Sequence, residues 1–107
     1  MATVNRPKIL AYELGVGANL DSSRFSPAAG ISWEVHSIIV STPATVYRVF
    51  DPNQDGVWEV SVSVISLPEG GEFHGFKFEV DEYSGLVIHN DDATNTMDVV
   101  LVGVEIT

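Results

Sequence analysis

An antiparallel β-sandwich of about 6–8 strands, jelly-roll or Ig-like in topology, is the all-β fold this sequence predicts. Three observations carry that expectation. Apolar and β-branched residues alternate with polar ones along several short segments, the period of a half-buried strand. Proline and glycine stand between those segments, as in Pro43, Pro68-Glu69-Gly70-Gly71 and Ser84-Gly85, where they end strands without interrupting them. No stretch carries the 3.6-residue period of an amphipathic helix, and no internal repeat is evident.

Taken in order, Lys8–Leu14 supplies a first strand. Residues 15–30 (GVGANLDSSRFSPAAG) are small, polar and punctuated by glycine and proline. The segment exceeds the ~12–15 residues beyond which structureless loops become uncommon in compact domains. It is either an arm ordered by a partner or a long crossover between sheets. Residues 1–30 are accordingly an N-terminal arm or crossover segment, and residues 31–107 the sandwich domain. Ile31–Val40 is read as a strand with Ile31, Trp33, Val35 and Ile39 facing inward against Glu34 and His36. Ala44–Phe50 and Val57–Ser66 form a hairpin about the turn residues DPNQDG, in which Pro52 fixes φ and Gly56 permits a positive one. Alternation puts Trp58, Val60, Val62 and Val64 on the buried face of that hairpin. Glu72–Val80 directs Phe76, Phe78 and Val80 inward and Lys77 and Glu79 outward. Leu86–His89 and Asp98–Ile106 are expected to make a second hairpin across NDDATNTM. The last strand is apolar on both faces, with Val100, Val102, Val104 and Ile106 on one and Val99 and Leu101 on the other. Such a strand is usually covered on both sides. The second cover is either another subunit or the 15–30 segment.

Composition narrows the function. The chain has 107 residues, no cysteine and a formal net charge of −10. A phosphate backbone is bound by clustered Lys and Arg, so nucleic acid is an unsuitable partner. The charge is lopsided: residues 1–48 hold three acids and four bases, whereas residues 49–107 hold twelve acids and one base, Lys77. No apolar run approaches the ~18–20 residues of a membrane helix, so no membrane partner is expected. Glu13 interrupts the apolar stretch near the N-terminus, which removes the pattern of a secretory signal.

Catalytic motifs are missing. There is no G-x-S-x-G elbow, H-E-x-x-H or P-loop, and His36, His74 and His89 lack metal-ligand spacing. The chain is therefore expected to be non-enzymatic, with no cofactor and no metal. Asp51-Pro-Asn53-Gln-Asp55-Gly56 does resemble half of a calcium loop. Position twelve, which should be a bidentate Glu, is Val62, and a plain turn is preferred. Asp81 and Glu82 lie at the same end of the fold as Asp51 and Asp55, so a converging acidic site is the form a calcium reading would take.

The run GLVIHNDDATNTMDVVLVGVEIT, with its Asn-rich turn and valine strand closing in VGVEI, resembles the ends of small β-sandwich structural proteins of tailed-phage virions. Capsid decoration (cement) proteins and related accessory subunits are the group meant. The likeness covers residues 31–107 in texture and 86–106 in pattern, and no functional residue is carried over. It implies a repeated, often trimeric subunit that docks on a capsid through its N-terminal segment. The expected location is the virion, after synthesis in the host cytoplasm. The apolar residues of 1–30 and of the last strand then become interface candidates: Ile9, Leu10, Tyr12, Leu14, Leu20, Phe25, Val99 and Leu101. A carbohydrate-binding or adhesin module, calcium-assisted through the DPNQDG loop, is the alternative. It would need outward aromatic rings, and only Tyr12, Tyr47 and Tyr83 lie off the inferred core faces.

Overall fold

The computed structural model describes residues 5–16 and 24–107, which contain strands and turns and no helix. Chain order gives β1 (Asn5–Leu14), β2 (Arg24–Phe25), β3 (Ser32–Val40), β4 (Ala44–Phe50), β5 (Val60–Leu67), β6 (Gly71–Val80), β7 (Ser84–Asn90) and β8 (Met97–Ile106). They form two four-stranded sheets, β1-β8-β3-β6 and β2-β7-β4-β5. Every pairing is antiparallel, and β1 pairs with β8, β2 with β7, β3 with β6 and β4 with β5. The chain is thus one long hairpin folded back on itself, with β3–β8 and β4–β7 contacts completing the sheets. This is a jelly roll, and the Ig-like option is set aside. The expected hairpin of the last two strands is corrected too. β7 and β8 lie in different sheets, so residues 91–96 bridge the layers.

Two bulges explain where sequence alternation mislocated the core. In β3, His36 is an extra residue between Val35 and Ser37. An extra residue flips the faces that follow it. Ile38 and Val40 are therefore buried, and Ile39, expected inward, is turned to the outer side. Gly103 of β8 faces this bulge so closely that a Cβ there would collide with the Glu34 carbonyl oxygen. In β5, Val46 pairs with Ile65 but Tyr47 pairs with Ser63, leaving Val64 unopposed. Ile65 and Leu67 enter the core in place of Val64.

The remainder of that hairpin also departs from expectation. Its loop runs from Asp51 to Glu59, so Trp58 precedes the strand and is half-buried. Val60 and Val62 do pair with Phe50 and Arg48, but they remain 42% and 49% exposed. β5 is the outermost strand of its sheet, and its N-terminal half lies open to solvent. The core instead centres on the inner strands, with Ile38, Val46, Leu86, Ile88, Met97 and Val99 fully enclosed. Burial of such a side chain stabilises by about 1.5–3 kcal/mol.

Candidate functional site

β1 and β8 run side by side over their whole length, Asn5 opposite Ile106 and Leu14 opposite Met97. Strand alternation then sorts their side chains into two faces. Leu10, Tyr12 and Leu14 share the inner face with Met97, Val99 and Leu101. Leu14, Val99 and Leu101 are buried, and Leu10 packs against the core from its margin. Tyr12 stacks on Phe25 with ring centroids 4.4 Å apart, and Phe25 is itself buried. Six of the interface candidates are thus engaged by the protein's own layers. Leu20 lies outside the described residues. Ile9 alone points outward, 68% exposed.

The outward apolar surface is the opposite face of β8 from the one expected. Val100, Val102, Val104 and Ile106 are all partly exposed there, beside Pro7, Ile9 and Ala11 of β1 and Ile39 of β3. No third layer of strands exists among the described residues to cover them. Towards β6 the same surface turns polar. Glu34 accepts from His36 Nε2 at 2.7 Å and lies 3.5 Å from Lys77 Nζ. The result is an aliphatic stripe along an open sheet face, bordered on one side by charge.

Chemistry-bearing residues elsewhere are tied into the fold. Asp51 is 3% exposed, and its carboxylate accepts the Gly56 and Asp55 amides at 2.8 and 3.2 Å. Burial raises its pKa, but these amide bonds outweigh burial and hold it below the usual carboxylate value. Asp55 accepts from the Val57 amide, and Asn53 donates to Glu59. The DPNQDG loop therefore directs its oxygens at its own backbone. The neighbouring turn touches it through Asp51 N–H to the Tyr83 carbonyl, yet Asp81 caps Tyr83 and Ser84. Among the described residues no group of three or more His, Asp or Glu side chains is placed to hold a metal ion.

Two histidines make short links to neighbouring polar side chains. His74 meets Ser37 Oγ at 2.8 Å and lies 3.6 Å from Glu72, because Ser37 pairs directly with His74 across β3 and β6. This hydroxyl–imidazole–carboxylate row sits on an open sheet face, with His74 and Glu72 more than half exposed. Water exclusion, which strengthens electrostatic catalysis, is not provided by such a face. His89 and Thr45 both bind Asp91, at 2.7 and 2.6 Å, which places the carboxylate in the middle and gives no base–nucleophile contact.

Arg48 shares its face of β4 with Val46 and Phe50. It lies between the layers, its guanidinium 5.2 Å from both the Phe50 and Phe78 rings, and donates to the Glu79 carbonyl at 2.6 Å. With Lys77, Glu79, Asp81 and Ser84 it borders an open depression of about 440 Å³. Two bases facing two acids give that depression no dominant charge.

No protein-family model matches the chain, and no curated protein matches it.

Proposed function

We propose that the chain is a non-enzymatic structural subunit of a virus particle, a capsid decoration or other accessory protein that stabilises an oligomeric assembly. The observation that carries this reading is the aliphatic stripe of partly exposed Val100, Val102, Val104 and Ile106 with exposed Ile9 on one sheet. Contiguous apolar patches mark contact surfaces more often than scattered apolar residues do. A stripe along an open sheet face suits a protein surface better than a small molecule, which is bound in a concavity. The jelly roll supports the proposal only at the level of class, because capsid and lectin domains share it. The stripe changes the docking element. It is the outer face of β8 with Ile9 of β1, in place of the inward-facing Leu10, Tyr12, Leu14, Val99 and Leu101. The partners in this reading are further copies of the chain and a larger shell.

Val102→Lys tests it. The charge sits mid-stripe on the outer side, so the isolated variant should retain the parent's circular dichroism. It should lose binding to purified particles of the source virus, to which the parent should co-sediment. A parent chain absent from those particles by mass spectrometry, and unable to co-sediment with them, would overturn the proposal.

A further inference from the structure

Four strands end the two sheets, and two of them carry features that discourage pairing with another chain. β1 has Arg6, Pro7, Lys8 and Glu13 along its length. β6 has Glu72, His74, Lys77 and Glu79, and it pairs irregularly opposite the His36 bulge. β2 covers two of the described residues. Charge, proline and irregularity are the usual means of blunting a sheet edge. β5 has the sequence VSVSVISL, eight residues with neither charge nor proline. Its side chains also leave apolar area uncovered: Val60, Val62 and Val64 are 39–49% exposed, and Phe73 of the facing edge is 39% exposed. One bulge is its sole irregularity, and it lies at Val64 towards the C-terminal half.

We propose that β5 is a self-pairing edge, through which two copies join antiparallel about a two-fold axis at Ser61. This deepens the self-associating subunit proposed above and rests on that reading, but it assigns a second surface distinct from the aliphatic stripe. A second copy is favoured over a foreign strand because the edge is complementary to itself. With Ser61 on the axis, Val60 lies opposite Val62 of the partner subunit and the reverse, so both exposed valines gain a cross-strand neighbour. Ser61 meets its own symmetry mate on the other face. Glu59 falls opposite Ser63 of the partner subunit. The two Glu59 carboxylates are then four residues apart along the strand, about 13 Å, beyond the ~8 Å Debye length at physiological salt. For a chain of net charge −10 this is a neutral line of approach. The pairing is isologous and closes at two, a dimer in place of the trimer implied by the resemblance. It unites the two β2-β7-β4-β5 sheets into one of eight strands.

Because the chain has no cysteine, Ser61→Cys introduces a unique thiol. Directly opposed residues in an antiparallel pair have Cα atoms about 4.5–5.5 Å apart, within reach of a disulfide. Full-length Ser61→Cys should form a covalent dimer under mild oxidation at least about tenfold faster than Ser41→Cys. Ser41 is an exposed residue preceding β4 and serves as the control thiol. Adding Val62→Lys to Ser61→Cys should reduce the rate to that of the control. Equal rates for Ser61→Cys and Ser41→Cys would overturn the inference, as would a fast rate unaffected by Val62→Lys. If those rates are equal while the parent still co-sediments with particles in a Val102-dependent way, the self-pairing edge fails and the proposed function stands. If the parent shows neither behaviour, both fail.

Discussion

Asn90 has its side chain enclosed at one end of the sandwich, 2% exposed, where an amide has no access to water. Its oxygen accepts from the Thr42 hydroxyl at 2.9 Å and the Asp92 amide at 3.0 Å. Its nitrogen donates to the Asn95 carbonyl at 2.8 Å and to the Gly15 carbonyl at 3.4 Å. One side chain thereby ties the ends of β1 and β7 to the turns at 41–43 and 91–96. Asn90→Ala removes all four bonds and strands buried partners, so urea denaturation should register a loss of about 2–4 kcal/mol. Two residues on, Asp92 accepts from the Thr94 and Asn95 amides, and these bonds lower its pKa from 3.8 to about 2. A carboxyl depressed in the folded state stabilises above its unfolded pKa and loses that contribution as pH falls through the folded value. Stability should therefore decline between about pH 5 and pH 2, and Asp92→Asn should flatten that decline. An acid titration of the urea midpoint, parent against variant, checks both. Asp51 is lowered in the same direction and adds to the slope. None of this was legible in sequence, where Asn, Asp and Thr in a loop look alike whether they cap a turn or face water.

At the scale of elements, the strands were legible because alternation reports one buried face at a time. The bulges were not. One extra residue at His36 and another at Val64 reverse the faces after them without any signature in residue type. Gly103 is the one trace of the β3 bulge in composition, a glycine within a valine strand whose role depends on a carbonyl 69 positions away. Gly103→Ala should cost about 1–3 kcal/mol or more, since backbone opposes the added methyl and cannot rotate aside. A thermal melt of the variant measures it. Sequence places β1 in an arm or crossover segment and leaves open whether its apolar residues meet a neighbouring subunit or the protein's own sheet. Its inner face in fact meets Met97, Val99 and Leu101 within the same sheet. Deleting residues 1–30 should consequently remove Leu14 and Phe25 from the core and bare the edge of β8. The product should lack the circular dichroism of the parent or aggregate. A soluble, folded product would contradict the integral role of β1. The aliphatic stripe was half legible. Sequence correctly identified β8 as apolar on both faces, but which face lies inward is set by the opposing sheet.

For the whole molecule, charge sets the terms of association. At −10 and with five bases in total, copies repel one another at low ionic strength. Salt screens that repulsion and leaves apolar contact undiminished. Self-association measured by light scattering should therefore strengthen as sodium chloride rises, the reverse of an interface held by ion pairs. Calcium at matched ionic strength should do no more than sodium, because Asp51 and Asp55 already accept bonds from the loop's own backbone. A calcium-specific rise in melting temperature, abolished by Asp55→Ala, would restore the calcium-assisted module as the better reading.

The nested pairing of β1 with β8, β2 with β7, β3 with β6 and β4 with β5 also dictates an order of events during synthesis. The β4–β5 hairpin can close as soon as its own residues have emerged. Each further pair must wait for a later strand, and β1 has no mate until β8 has been made. Until then the nascent chain carries Leu10, Tyr12 and Leu14 without the strand that shelters them. Contacts between distant segments form slowly once the chain is free, and exposed strands favour wrong partners meanwhile. Arg6, Pro7, Lys8 and Glu13 then protect more than the finished sheet edge: they are the residues that keep a waiting strand from joining a neighbour's on the same message.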